Sequence, residues 1–242
     1  MSNIENYWHR KLERRGPTFA VVATVAILIG GLVEIVPLYM VDFEGPEAAE
    51  VPPYTPLELA GRDIYIREGC YNCHSQMVRP MYAETLRYGE WSRAYEMVHD
   101  RPFQLGSRRI GPDLAREGGL RSDAWHYDHF RDPRALQPGS IMPSYSWLLT
   151  WRVDVADVQA SVGAMMTLGV PYEADAVETT EASMRAQGEA IVGRLREVGI
   201  AGAEWDHEVI AMIAYMQQLG THLQLSEEAA EGSAAAAAPA GE

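Results

Sequence analysis

The stretch REGCYNCHSQMVRP, residues 67–80, contains the only two cysteines of the 242-residue chain. Cys70 and Cys73 are three positions apart, and His74 follows directly. Thiols at this spacing are typical of three kinds of site: a redox dithiol, a zinc site and a covalent attachment site for haem. The rest of the sequence discriminates between them.

A thioredoxin-like dithiol is expected among alternating strands and helices, and the sequence has neither a strand-rich segment nor an internal repeat. A zinc site needs more ligands, and no second pair has zinc-finger spacing. In Cys-x-x-Cys-His, both thiols form thioether bonds to haem and the histidine ligates the iron. One helical turn places all three side chains along one face of the macrocycle. We therefore predict one covalent haem c at Cys70, Cys73 and His74.

A haem-ligating histidine generally donates its second ring N–H to an acceptor that fixes its orientation. The sequence Gly111-Pro112-Asp113-Leu114 offers a carbonyl group at a proline, which has no competing N–H. We expect Pro112 to supply this acceptor. Gly-Pro alone is also an ordinary turn signal, so the prediction depends on the upstream haem motif.

The sixth iron ligand is predicted to be Met142, in the loop QPGSIMPSYSW. Pro143 prevents a helix there, and Tyr145 and Trp147 can exclude solvent. Met77 follows His74 too closely to reach the opposite haem face. Histidine–methionine ligation raises the reduction potential and leaves no open iron position, which indicates electron transfer. The remaining candidates have the helical spacing typical of core methionines: Met97, Met165, Met166, Met184, Met212 and Met216.

Polar residues near the predicted haem have two interpretations. His126 and His129, at i and i+3, are either a paired metal site or polar residues at the surface or haem edge, and we favour the second. Arginines can pair with haem propionates or be simple solvated charges, and the sequence leaves this open for Arg108, Arg109 and Arg134.

Residues 18–41 are apolar apart from Glu34. A helix of this length spans roughly 36 Å, against a hydrocarbon core of about 30 Å. The apolar run is longer than that of a signal peptide, and the sequence EAAE that follows it, residues 47–50, is a poor cleavage site. We predict an uncleaved single-pass anchor. Glu34 either extends to the outer membrane interface or faces a membrane partner together with Gly30 and Gly31, and we favour the second. Basic residues before the span and acidic residues after it place the N-terminus in the cytoplasm and the rest outside.

The predicted fold is all-α, with a class I-like c-type cytochrome domain after the anchor. Helices are expected to end near Gly69 and to cover 122–131, 154–168, 180–197 with Gly199 as C-cap, and 205–219 with Asp206 as N-cap. Gly61 and Tyr65 should pack against Tyr215. The net charge of −14 makes nucleic acid an unfavourable partner. The predicted order is a cytoplasmic N-terminus (1–17), the anchor (18–41), a linker (42–56), the haem domain (57–224) and a disordered acidic tail (225–242).

Several segments resemble the mono-haem cytochrome c subunit (subunit II) of cbb-type, or C-family, haem–copper cytochrome oxidases. The resemblance covers the chain to about residue 222, and the segments that carry it are GGLVEIVPLY, GRDIYIREGCYNCHSQMVRP, YGEWS, DRPFQLGSRRIGPDLAR, SDAWHYDHFRDPR and GSIMPSY. It implies a complex of the bacterial cytoplasmic membrane. A di-haem cytochrome c subunit would deliver electrons, and a haem–copper catalytic subunit would reduce oxygen while protons are pumped. It also implies a cation at a subunit interface, with Ser107 as a contact.

Two other functions compete with an oxidase subunit. A free-standing, membrane-anchored cytochrome c would shuttle electrons and would need nothing of its anchor except hydrophobicity. A haem enzyme or sensor would need a vacant iron position, which ligation by Met142 excludes.

Overall fold

The computed structural model describes residues 8–40, 51–106 and 108–222. The chain divides into two compact units, Met1–Gly45 and Pro46–Glu242. Some sequence predictions lie outside the described residues: the first seven residues, most of the linker, the contact at Ser107 and the acidic tail.

The first unit contains a short helix, α1 (Trp8–Glu13), and a long one, α2 (Gly16–Met40). Within α2, Gly16–Pro37 is long and apolar enough to cross a membrane, and its side chains are not buried against the chain. The predicted anchor is therefore present as a helix. It begins two residues earlier than predicted, at Gly16.

The second unit is built from helices and irregular loops. Within the described residues the only bridge of β type joins Arg152 and His207, so the all-α prediction is confirmed. The helices are α3 (Pro56–Arg67), α4 (Tyr82–Tyr88), α5 (Asp123–Arg131), α6 (Pro133–Leu136), α7 (Val155–Thr167), α8 (Thr180–Glu197) and α9 (Glu208–Gln218). Short 3-10 turns lie at Cys70–Asn72, Ala94–Met97 and Ser146–Leu149.

Helix α3 begins with a capping box. The Thr55 hydroxyl accepts a hydrogen bond from the Glu58 amide at 3.3 Å, and the Glu58 carboxylate accepts one from the Thr55 amide at 2.9 Å. Gln187 of α8 bonds both side chains, at 2.7 Å and 3.0 Å. Val51 and Tyr54 are buried. The packed residues therefore begin at or before Val51, ahead of residue 57, where the sequence predicts the start of the haem domain.

Helices α3 and α9 cross in close contact at Gly61. A Cβ atom at Gly61 would lie 2.0 Å from the Ala211 carbonyl oxygen and 2.7 Å from Tyr215 Cβ. The rings of Tyr65 and Tyr215 pack at 5.5 Å between centroids, which confirms the predicted contact. At the last residue of α3, the Arg67 guanidinium forms two hydrogen bonds to the Glu208 carboxylate, at 2.7 and 2.5 Å.

The start of α9 differs from the sequence prediction. His207, and not Asp206, is the N-cap residue of α9. The Asp206 carboxylate instead accepts two hydrogen bonds from Arg152, at 2.6 and 2.7 Å. Backbone pairing holds Asp206 there, because its carbonyl group accepts from the Val153 amide at 2.8 Å. At the end of α8, Gly199 has the left-handed φ of +89° expected of a glycine that terminates a helix.

Four of the methionines that the sequence assigns to helices lie in the core. These residues are Met165, Met184, Met212 and Met216. Met142 and Met166 are only partly buried, at the edge of this core.

Replacing Gly61 by alanine should destabilise the domain by about 1–3 kcal/mol, because the added methyl group forces α3 and α9 apart. Chemical denaturation of the full chain in detergent, followed by far-UV circular dichroism, measures this. The matched control is Gly193→Ala within α8, where a Cβ would meet nothing within 4 Å. Its stability should be unchanged or higher by up to about 1 kcal/mol. Equal effects at the two glycines would contradict a close crossing at Gly61.

Candidate functional site

The two cysteines lie on a tight turn directly after α3. Gly69, at φ +71°, ends the helix, and a 3-10 turn spans Cys70–Asn72. The amides of Cys73 and His74 both donate to the Cys70 carbonyl group, at 3.1 and 2.9 Å. Both thiols are free and partly buried. The turn therefore brings two thiols and one imidazole close together in the chain.

Burial raises the pKa of the Cys70 thiol to about 12, with smaller contributions from Glu68 and Cys73. A redox dithiol needs a lowered thiol pKa, since the thiolate is the nucleophile. The environment of Cys70 therefore disfavours dithiol exchange as the function of this pair.

The imidazole of His74 is held by the segment around Pro112. Its Nδ1 lies 2.9 Å from the Pro112 carbonyl oxygen, the acceptor that the sequence indicates. Burial lowers the pKa of His74, so the neutral ring donates from Nδ1. Among the described residues, nothing is hydrogen bonded to Nε2, which is the nitrogen left for a metal ion.

Gly111 makes this contact sterically possible. A Cβ atom there would lie 2.3 Å from His74 Cε1, so the ring occupies the space that a side chain would take. The two segments are also paired through the backbone. The amides of Ile110 and Gly111 donate to the Cys73 carbonyl group, and the Leu114 amide donates to the Ser75 carbonyl group, all at 2.8–2.9 Å.

Asp113 is a further site residue, which the sequence prediction did not single out. Its buried carboxylate accepts hydrogen bonds from the Ser75 hydroxyl at 2.6 Å, the Met77 amide at 3.0 Å and the Ala115 amide at 2.9 Å. These bonds fix the chain immediately after His74. The sequence signal that could have identified Asp113 is its position directly after Gly-Pro, where a turn can bury an acidic residue.

Arg109 makes several contacts within the chain, and its suggested pairing with a haem propionate stays a prediction. Its guanidinium contacts Asp113 at 3.2 Å, Glu84 at 2.8 Å and the Met77 carbonyl oxygen at 2.6 Å. The guanidinium is thus used within the chain. Arg108 and Arg134 are exposed and stay candidates for a propionate.

The loop that contains Met142 lies beside the domain core. Met142, Tyr145, Trp147 and Cys70 are all partly buried against the same hydrophobic cluster. Burial raises the pKa of Tyr145 to about 12, with smaller contributions from the nearby Cys70, Cys73 and Glu68. The rings of Tyr145 and Trp147 meet edge to face at 5.3 Å. The structure therefore brings the aromatic part of this loop near the cysteine turn.

His126 and His129 face different surroundings. His126 is 2% exposed, and its Nε2 lies 3.8 Å from a Glu117 carboxylate oxygen. The His129 ring stacks on Trp125 at 4.5 Å, and its pKa is lowered to about 4 by burial and then by His74. His129 is therefore the nearer of the two to the predicted haem, in keeping with a haem-edge residue.

Among the described residues, one group of three potential metal ligands is close enough to hold an ion: Glu204, Asp206 and His207. Arg152 already neutralises Glu204 and Asp206, at 2.8 and 2.6 Å. The group is a salt bridge cluster at the start of α9, and His126 and His129 are not part of it.

Comparison with protein families decides the class of protein. The family described as "Cytochrome C oxidase, mono-heme subunit/FixO" matches residues 9–223. The chain belongs to this family. The chain is therefore a subunit of a cytochrome oxidase complex and carries one haem. Among curated proteins, no sequence matches the chain.

The residues at the cysteine turn fit this cofactor. They offer two free thiols, an imidazole whose Nδ1 is already bonded to Pro112, and an Nε2 without a partner in the described part of the chain. Among the described residues, α2 is an apolar helix that suits a membrane-anchored protein.

The buried His126 predicts a pH dependence. Burial lowers its pKa from 6.5 in the unfolded chain to about 4, so the unfolded chain binds more protons between these values. Stability should be fully present above pH 6.5 and should fall by about 2 kcal/mol from pH 7 to pH 5 on account of this residue. His126→Phe should reduce the slope of unfolding free energy against pH by up to one proton.

His129, whose pKa is also lowered to about 4, contributes to the slope in both proteins and does not affect the comparison. Glu117, with a pKa raised by burial, acts in the opposite direction. Denaturation of both proteins at pH 5, 6 and 7 measures the difference, and an unaltered slope in the variant would show that the pKa of His126 is the same in the folded and the unfolded chain.

Proposed function

We propose that this FixO subunit relays electrons through a haem attached to Cys70 and Cys73 and ligated by His74 and Met142. The observation that carries the proposal is the 2.9 Å contact between His74 Nδ1 and the Pro112 carbonyl oxygen. Such a contact fixes the ring and its tautomer and raises the basicity of the other nitrogen. A histidine arranged in this way is prepared to ligate iron.

The surrounding residues support a rigid electron carrier. Gly111 leaves room for the ring, and Asp113 holds the chain after His74 through three hydrogen bonds. When bound, the haem supplies a one-electron iron couple. The protein supplies attachment, a fixed imidazole and an environment walled by Tyr145 and Trp147, which together limit rearrangement between oxidation states.

The proposed partners follow from the family and from the anchor. We infer that electrons arrive from a di-haem cytochrome c subunit and leave to a haem–copper subunit that reduces oxygen to water and pumps protons. The location is the bacterial inner membrane, with the N-terminus in the cytoplasm and the haem domain in the periplasm. The basic residues before α2 and the acidic residues after it support this orientation.

Gly30 and Gly31 of α2 offer a surface for a neighbouring helix. Among the described residues, a Cβ atom at either glycine would meet nothing within 4 Å. Glu34, four residues after Gly30, is also exposed. Small residues beside a polar group are typical of helix contacts within membranes. We infer that this surface packs against the catalytic subunit.

Removal of the proposed sixth ligand should lower the reduction potential of the haem. Met142→His and Met142→Ala should both shift it downward by on the order of 0.1 V or more, since axial ligands set haem potentials over roughly 0.8 V. Spectroelectrochemical titration of the purified holoprotein measures the shift. The control is Met81→Leu, which changes an exposed methionine. An unmoved potential and spectrum in the Met142 variants would exclude this residue as ligand.

The function itself is tested by isolation of the complex. Membranes are solubilised in mild detergent, the chain is captured by a tag, and the eluate is assayed for haem, copper and oxygen uptake with reduced cytochrome c. Co-elution of high-spin haem and copper with cyanide-sensitive oxygen uptake supports the relay function. Elution of one c-type haem alone, without oxygen uptake, would favour a free-standing electron shuttle.

The same isolation tests the proposed helix surface. Gly30→Leu with Gly31→Leu should reduce the co-eluting copper by at least about tenfold, because bulky side chains prevent close approach of a neighbouring helix. Gly16→Leu, at the start of the same helix and also in open space, is the control. Full co-elution of the double variant would place the interface elsewhere.

A further inference from the structure

A small polar cavity lies at the end of α9, separate from the cysteine turn. Its volume is about 30 Å³, and Gln76, Asp100, Gln218 and His222 are among the residues that line it. Gln76 and His222 are each 7% exposed. The cavity thus lies between the chain that follows His74 and the last described turn of the domain.

Three buried polar atoms belong to side chains that line this cavity and have no hydrogen-bond partner among the described residues. They are Nε2 of Gln76, Oε1 of Gln218 and Nδ1 of His222. A buried polar atom without a partner loses the hydrogen bonds to water that it makes in the unfolded chain and is therefore destabilising. Three such atoms at one cavity indicate a ligand that satisfies them together.

The other polar atoms of these side chains are already bonded. The Gln76 Oε1 accepts from the buried Tyr215 hydroxyl at 2.9 Å, which leaves the amide NH₂ of Gln76 as a donor. The Gln218 amide nitrogen contacts His222 Nε2. Because an amide NH₂ only donates, His222 Nε2 accepts, and its proton is on Nδ1. The cavity therefore offers donors from Gln76 and His222 and an acceptor from Gln218.

This combination selects the chemical class of the ligand. A metal cation is disfavoured, because N–H donors point positive hydrogens at it. An anion is disfavoured, because the carboxylates of Glu96 and Asp100 also line the cavity. Water donates and accepts, and it needs a space of only about 10–15 Å³ and two to four polar partners.

We propose that this cavity is a binding site for ordered water that bridges Gln76 to Gln218 and His222. The water links the end of α9 to Gln76, two residues after His74 in the sequence. Gln76 then has three hydrogen-bond partners. Its backbone amide donates to the Leu105 carbonyl group at 3.0 Å, its side-chain oxygen accepts from Tyr215, and its side-chain nitrogen donates to the water. The proposal does not depend on the oxidase function.

High-resolution crystallography of the holoprotein within its complex tests the site directly. The expected result is a density peak within 3.2 Å of Gln76 Nε2 and of Gln218 Oε1, without anomalous signal from a metal. A cavity without density, while other internal waters are visible, would overturn the proposal. So would an ion, or side chains rotated to bond each other directly.

A double-mutant cycle tests the bridge in solution. Gln76→Met and Gln218→Met each remove one partner of the water and should each increase the opening constant measured by hydrogen exchange of α9 amides. If water couples them, the increase in the double variant should be smaller than the product of the single increases by at least about threefold. The control, Gln137→Met at an exposed position, should leave exchange unaltered. Multiplicative effects of the two substitutions would show that no water bridge connects the side chains.

Discussion

The close crossing of α3 and α9 at Gly61 is the contact on which the haem domain depends. The Ala211 backbone occupies the space of a missing side chain, and Tyr65 and Tyr215 pack beside it. Since α3 ends directly before Cys70, the crossing also sets where the cysteine turn begins. The pair of hydrogen bonds between Arg67 and Glu208 then fixes the end of α3 against the start of α9.

Polar contacts of the chain after this crossing hold His74 in place. Backbone pairing joins residues 73–75 to residues 110–114, and the Asp113 carboxylate closes the loop from inside. The Pro112 carbonyl group then meets the imidazole of His74. The Asp113 carboxylate is buried, whereas the contact between His74 and Pro112 lies at the surface. These contacts within the chain, and not the cofactor alone, set the orientation of the His74 ring. An electron carrier requires such an arrangement.

Polar contacts also hold the first and the last helix of the packed domain in place. The capping box of Thr55 and Glu58 is tied to α8 through Gln187, and the proposed water site ties the end of α9 to Gln76. Specific polar contacts at these two places restrict how the helices can pack against each other. The domain thereby combines an apolar core, rich in methionine, with a small number of specific polar connections around the haem motif.

The sequence by itself determined the chemistry and most of the helices. Cys70, Cys73 and His74 predict a covalent haem because Cys-x-x-Cys-His is the attachment motif, and the apolar run before residue 41 predicts an anchor because its length matches a membrane. Only the tertiary structure decided which polar residues serve the site. Arg109 pairs with Asp113 and Glu84, and His207 replaces Asp206 as the cap of α9 because Arg152 binds Asp206. Local patterns do not contain these choices, since each depends on a partner more than three residues away that only folding brings into contact.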